Sequence, residues 1–142
     1  MLPQYRDFWL LLVTCKADSK SVRRFMMDWV VKLFKTLDES DANSFAEYLA
    51  EDSSFTFGNA ETVKGKGPIR DHVAGFFSSI DGLQHKLLGT WQADDMIFIK
   101  GEVTYTRKDK RTLTVPFFNV FKMDHELIRE YLIYTDNSAL FS

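Results

Sequence analysis

The stretch from Thr112 to Asp136 constrains this chain more than any other. It reads Thr112-Leu-Thr-Val-Pro-Phe-Phe-Asn-Val-Phe-Lys-Met, breaks at Asp124-His125-Glu126, and resumes as Leu127-Ile-Arg-Glu-Tyr-Leu-Ile-Tyr-Thr-Asp136. Two β-branched and aromatic runs parted by a short polar cluster predict a long antiparallel hairpin. One arm carries Asn119 among Phe117, Phe118 and Phe121, and the other ends on Asp136. A polar side chain set among rings costs free energy unless it is hydrogen-bonded or used.

The chain around that hairpin has 142 residues, the length of one domain with one core. The expected division is an N-terminal arm over 1–18 and a single domain over 19–142. At 15% aromatic residues the chain has more ring surface than a minimal core requires, so some rings are available to line a cavity. A net charge of −2 argues against a nucleic-acid surface, which needs a basic patch. The densest basic run, Arg107 to Arg111, reads as a solvated hairpin turn. The single cysteine, Cys15, fits a reducing compartment, and the protein is expected in the cytoplasm. The apolar run Phe8 to Val13 is far shorter than the roughly 20 residues of a spanning helix, so no membrane partner is expected.

From Ser19 or Ser21, as N-cap, the residues Val22, Phe25, Met26, Trp29, Val30, Leu33, Phe34 and Leu37 repeat at steps of three and four, an amphipathic helix. Asp38-Glu39-Ser40-Asp41 breaks it. A shorter helix with Phe45, Tyr48 and Leu49 on one face is expected to end at Asp52-Ser53-Ser54. Phe55-Thr56-Phe57 is a short strand closed by Gly58-Asn59, and Glu61 to Lys64 adds another. Pro68 then sits just inside a third helix carrying Ile69, Val73, Phe76, Phe77 and Ile80. From Gln84 the period is that of strands: His85, Leu87, Gly89 and Trp91 share one face of the first. Ile97, Ile99, Gly101, Val103 and Tyr105 oppose Phe98, Lys100, Glu102, Thr104 and Thr106 in the second. Helices followed by a meander give an α+β class, with the helices covering one face of a curved sheet.

The order of elements, with Gly65-Lys66-Gly67-Pro68-Ile69 opening the third helix, Gly101-Glu-Val-Thr-Tyr105, Val115-Pro116-Phe117, Leu127-Ile128 and Tyr134-Thr135-Asp136, resembles SnoaL-like proteins of the nuclear transport factor two superfamily. The likeness covers about residues 20–140. It implies a cone-shaped α+β barrel, in which a strongly curved antiparallel sheet and three helices from the N-terminal half enclose a pocket. Gln84-His85 with Gly89-Thr90 is also similar to the histidine strand of scytalone dehydratases, and Asn119 falls where those enzymes carry an asparagine. Their second catalytic histidine has no counterpart, its neighbourhood here holding Tyr105 and Thr106. Asp136 is similar in position to the acid–base aspartate of polyketide cyclases.

An apolar cone with a few inward polar groups suits a hydrophobic small molecule and proton-transfer chemistry. His85 is either the group that moves the proton or a core histidine satisfied by a carbonyl. Asp136 either sits buried with a raised pKa, as a base or an orienter of His85, or caps its own turn. Asn119 either holds a substrate oxygen or bridges a bulge, and Tyr105 either donates to that oxygen or packs. Trp29, Tyr48, Phe57, His72, Phe76, Trp91, Phe117, Phe121 and Tyr134 are the expected walls of the substrate pocket. Three scattered histidines lack metal-ligand spacing, so neither a metal nor another cofactor is expected. The expected function is therefore a cofactor-independent isomerase, cyclase or dehydratase acting on a hydrophobic carbonyl compound. The alternative is a binding or scaffold protein without turnover. Phe98, Phe118 and Val120 on the outer sheet face predict a homodimer through the sheet.

Overall fold

The structure, a computed structural model, describes residues 19–142, and the expected arm over 1–18 lies outside the described residues. Helix α1 (Ser19–Asp38) buries Met26, Trp29, Val30, Leu33, Phe34 and Leu37. This is the stripe its spacing predicts, each side chain contributing about 1.5–3 kcal/mol of transfer free energy. Ser21 lies inside the helix rather than at a cap. The helix stops where Ser40 turns left-handed at φ 55°. Asp41 then caps α2 (Ala42–Ala46), its Oδ1 accepting from the Ser44 N–H at 3.0 Å. That bond holds the Asp41 carboxyl below its ordinary range.

Helix α2 is shorter than its apolar spacing suggests. Strand β1 (Leu49–Phe57) runs straight through the expected Asp52-Ser53-Ser54 stop. The ladder explains the difference, because Leu49 lies opposite Ile128 and the Tyr48 carbonyl accepts from the Ile128 N–H at 2.8 Å. Pairing over Phe55–Phe57 continues it, while a register shift between Leu49 and Ser54 leaves Glu51 and Asp52 exposed. Partner strands override a local turn signal here.

Strand β2 (Val63–Lys64), helix α3 (Lys66–Ser79), and strands β3 (Gly82–Ala93), β4 (Met96–Thr106), β5 (Thr112–Asp124) and β6 (Leu127–Tyr134) follow, with a closing 3-10 turn at Ser138–Phe141. The strands form one six-stranded sheet ordered β2-β1-β6-β5-β4-β3. The β3 to β6 meander is antiparallel as expected, but β1 pairs parallel with β6. The sheet is therefore mixed, and β2 and β3 remain as edges, so the cone is a curved open sheet rather than a closed barrel. The β5–β6 hairpin turns at His125, which is left-handed at φ 56°. In the basic turn Asp109 pairs with Arg107 and Arg111, and Lys110 reaches Asp81 at 2.7 Å, consistent with a solvated turn.

On β4 the alternation holds throughout: Ile97, Ile99, Gly101, Val103 and Tyr105 are buried and Glu102 is exposed. On β3 it does not. The register shifts between Leu87 and Gly89, so His85 opposes Val103 whereas Trp91 opposes Phe98. One extra residue reverses the strand's facing beyond it. Trp91 therefore stands on the outer sheet face, 51% exposed, with its ring lying over Gly89, where a Cβ would collide with it. Among the described residues, no helix is long and apolar enough to cross a membrane.

Candidate functional site

Helix α3 and the inner sheet face enclose a cavity of about 300 Å³. Its walls include Phe55 and Phe57 of β1, His72, Phe76 and Phe77 of α3, and Phe117 of β5. His85, Tyr105 and Asn119 also line it, so three of the four expected catalytic residues meet one space.

His85 is held more tightly than its strand alone requires. Its Nδ1 lies 2.6 Å from Oδ1 of Asp38, the last residue of α1, and its backbone N–H donates to both oxygens of that carboxylate at 3.1 and 3.2 Å. The imidazole side chain is 11% exposed, set edge-on to Phe34 at 4.8 Å and to Phe117 at 5.3 Å. With Nδ1 committed to the carboxylate, Nε2 is the ring nitrogen available to a ligand. Asp38 escaped the sequence reading because an acidic residue after an apolar stripe looks like a helix stop. Its signal was spacing: Asp38 is four residues beyond Phe34, which puts a carboxylate on the buried face of α1.

Tyr105 is a diagonal neighbour of His85, since His85 opposes Val103 and Leu83 opposes Tyr105. Diagonal pairs of this kind lie about 7–8 Å apart at Cα, within reach of long side chains. Burial pushes the Tyr105 phenol up to about 12, against a hydrogen bond with the Asn137 side chain that pulls it down. Tyr105 is therefore a proton-bearing donor at neutral pH. Burial also raises the phenol of Tyr131, which lines the cavity beside Phe121.

Asn119 belongs to another part of the cavity. It lies four residues along β5 from Val115, which stands in the row of His85 and Val103. At about 3.3 Å per residue that is about 13 Å of strand. Asn119 is 2% exposed, and its Oδ1 is buried with no hydrogen-bond partner among the described residues. A buried acceptor left unpaired costs about 1–3 kcal/mol. We expect Asn119→Leu to raise the melting temperature by several degrees, at about 2–4 °C per kcal/mol for a chain of this size, while weakening ligand binding. Thermal unfolding checks the first effect and calorimetry the second.

Other expected site residues fall elsewhere. Asp136 is exposed, and its Oδ1 accepts from the Ser138 N–H at 3.0 Å. Hydrogen bonds from Ser138 hold its carboxyl below the ordinary range rather than above it. It caps its own turn and faces neither His85 nor the cavity, because the chain leaves the sheet after Tyr134. Tyr134 and Trp91 are on the outer face, 57% and 51% exposed. Trp29 and Phe121 are buried in the core and contact each other edge-on at 6.3 Å, and Tyr48 packs on Trp29 at 5.5 Å; none of the three lines the cavity. Phe57, Phe76 and Phe117 are wall residues as expected, and His72 is an exposed residue at the cavity's edge, its ring 6.1 Å from Phe55. Thr135, Asn137 and Phe141 complete the lining from a segment whose turn residues gave no periodic signal. Among the described residues, no cluster of three His, Cys, Asp or Glu side chains is placed to hold a metal ion.

Comparison with known proteins bears on this arrangement. A family model described as a SnoaL-like domain matches residues 30–131. No curated protein matches the chain. Among solved structures, a protein with a ketosteroid isomerase-like fold from Catenulispora acidiphila DSM 44928, in complex with trimethylamine, superposes with a TM-score of 0.72. It is 17% identical, over 78% of this chain and 86% of that one. An NTF2-like protein of unknown function from Burkholderia pseudomallei K96243 gives 0.73 at 15% identity, over 81% and 93%. An LEH-like epoxide hydrolase from M. tuberculosis gives 0.69 at 13%, over 80% and 84%. At these identities the likeness is one of fold.

Proposed function

We propose, for a chain that belongs to the SnoaL-like domain family, that the cavity carries out cofactor-independent proton transfer on a hydrophobic carbonyl compound, as an isomerase, cyclase or dehydratase. The observation that carries this reading is the Asp38–His85 pair, with Nε2 left for the cavity and the Tyr105 hydroxyl on a neighbouring row.

In the proposed step, Nε2 of His85 takes a proton from the carbon next to the substrate carbonyl. The C–H electron pair moves into the adjacent C–C bond and the carbonyl pair onto oxygen, where Tyr105 donates a hydrogen bond to the developing enolate. Asp38 keeps the ring in the competent tautomer and stabilises the imidazolium that forms. The imidazolium then returns its proton to another atom of the same framework, so no co-reactant is required. The ring walls limit water, which strengthens each of these interactions. Tyr105 serves the oxygen nearest His85, and Asn119 serves a second polar group of the ligand, since the register sets the two apart.

The test is deuterium uptake from D2O into 2-tetralone, an enolisable ring ketone, followed by proton NMR. The reading expects acceleration over buffer; no acceleration despite saturable binding favours a binding protein without turnover.

The outer face supports the proposed homodimer. Phe98 and Phe118 stack at 6.2 Å, with Trp91 opposite Phe98, Tyr134 opposite Phe118, and Phe118 itself 38% exposed. Light scattering should return twice the monomer mass for the wild type and the monomer mass for Phe118→Glu. A monomeric wild type at high concentration contradicts the dimer.

A further inference from the structure

We infer that the ligand of this cavity is a molecule of one or two rings that carries no anionic group, and that the site discriminates against carboxylates and phosphates. The inference rests on the reading of the cavity as the reaction site and adds the class of compound it admits.

Among the described residues, no lysine, arginine, aspartate or glutamate side chain lines the cavity, and the only titratable side chains that do are His72, His85, Tyr105 and Tyr131. Both tyrosines are held in the neutral phenol form by burial. His85 is bound to Asp38, so with that carboxylate ionised the pair is neutral when the imidazole is protonated and negative when it is not. Neither state leaves a positive charge for a buried anion. His72 is exposed and lies at the edge, where solvent screens it. An anion brought among these rings loses hydration and gains no counter-ion, which is expensive.

Size adds a second limit. A cavity of about 150 Å³ lined by apolar side chains accepts a benzene ring. The present volume of about 300 Å³ is twice that and stands at the low end of ligand pockets. The polar groups suit the same compound. Asn119 offers a buried acceptor with no partner among the described residues, which calls for an O–H or N–H on the ligand, and His85 with Tyr105 addresses an oxygen some distance away.

Calorimetric titration of the whole chain with three probes tests this. We expect 2-naphthol to bind and 2-naphthoate, of nearly the same shape, to bind at least about 100-fold more weakly. Progesterone, with four rings, should not bind. Equal affinity for the naphthol and the naphthoate, binding of progesterone, or no binding of 2-naphthol overturns the inference. These outcomes are separable from the catalytic reading. Selective 2-naphthol binding without deuterium uptake into 2-tetralone sinks the reaction and spares the ligand class. Uptake that depends on His85 alongside strong 2-naphthoate binding does the reverse.

Discussion

Replacing His85 with glutamine should slow deuterium uptake into 2-tetralone by about 10²–10⁴-fold, the usual contribution of a positioned general acid–base. Glutamine preserves size and can still donate to Asp38, so the melting temperature should stay within a few degrees of the wild type. That combination separates lost chemistry from lost structure. Asp38→Asn is expected to act through the imidazole. It keeps an oxygen for the His85 N–H, now 3.1 Å from Oδ1, but removes the charge that favours the imidazolium. Its rate should fall less than that of His85→Gln, and the double variant should be no slower than His85→Gln alone, since groups that act as one unit do not add. A double variant markedly slower than either single variant would show that Asp38 acts independently.

The second large effect lies in the sheet that supports the site. Gly101→Ala should destabilise the protein by about 3 kcal/mol, the upper part of the overpacking range, because the obstacle is partly backbone. A Cβ at Gly101 would collide with the Lys86 carbonyl oxygen and with the Phe117 ring. Gly101 opposes Leu87 across β3 and Phe117 across β5, so neither neighbour can retreat without disturbing a ladder. At about 2–4 °C per kcal/mol the melting temperature should fall by about 6–12 °C. Phe117 also contacts His85, so ligand affinity should fall as well. A variant that melts like the wild type would mean that the strands have slack at this crossing.

The parts of this fold that a sequence reveals are those with a long uninterrupted period. The stripe of α1, the alternation of β4 and the hairpin expected over Thr112 to Asp136 each repeat over many residues, and each stands where its period puts it, the hairpin ending two residues early at Tyr134. For the candidate site, strand parity made the shared cavity legible but not the chemistry. His85, Tyr105 and Asn119 follow from strand parity, and all three line the cavity. What was hidden is non-periodic. The bulge at Leu88 leaves no residue-type signature, yet it moves Trp91 to the opposite face. The parallel pairing of β1 with β6 depends on residues more than seventy positions apart, which no local pattern encodes, and it shortens α2. Asp136 illustrates the converse error. A carboxylate after an aromatic strand was expected to be buried, but the chain has left the sheet by then and Ser138 supplies its hydrogen bonds. The histidine's real carboxylate partner came from a helix end forty-seven residues earlier.

The most direct measurement of the central claim is long-range proton–nitrogen NMR of the imidazole rings, with and without 2-naphthol. We predict that free His85 shows a protonated Nδ1 and an unprotonated Nε2, and that ligand shifts its Nε2 resonance while His125, exposed in the β5–β6 turn, stays still. A His85 signal that is unmoved at ligand saturation, or a neutral ring carrying its proton on Nε2, would contradict the account.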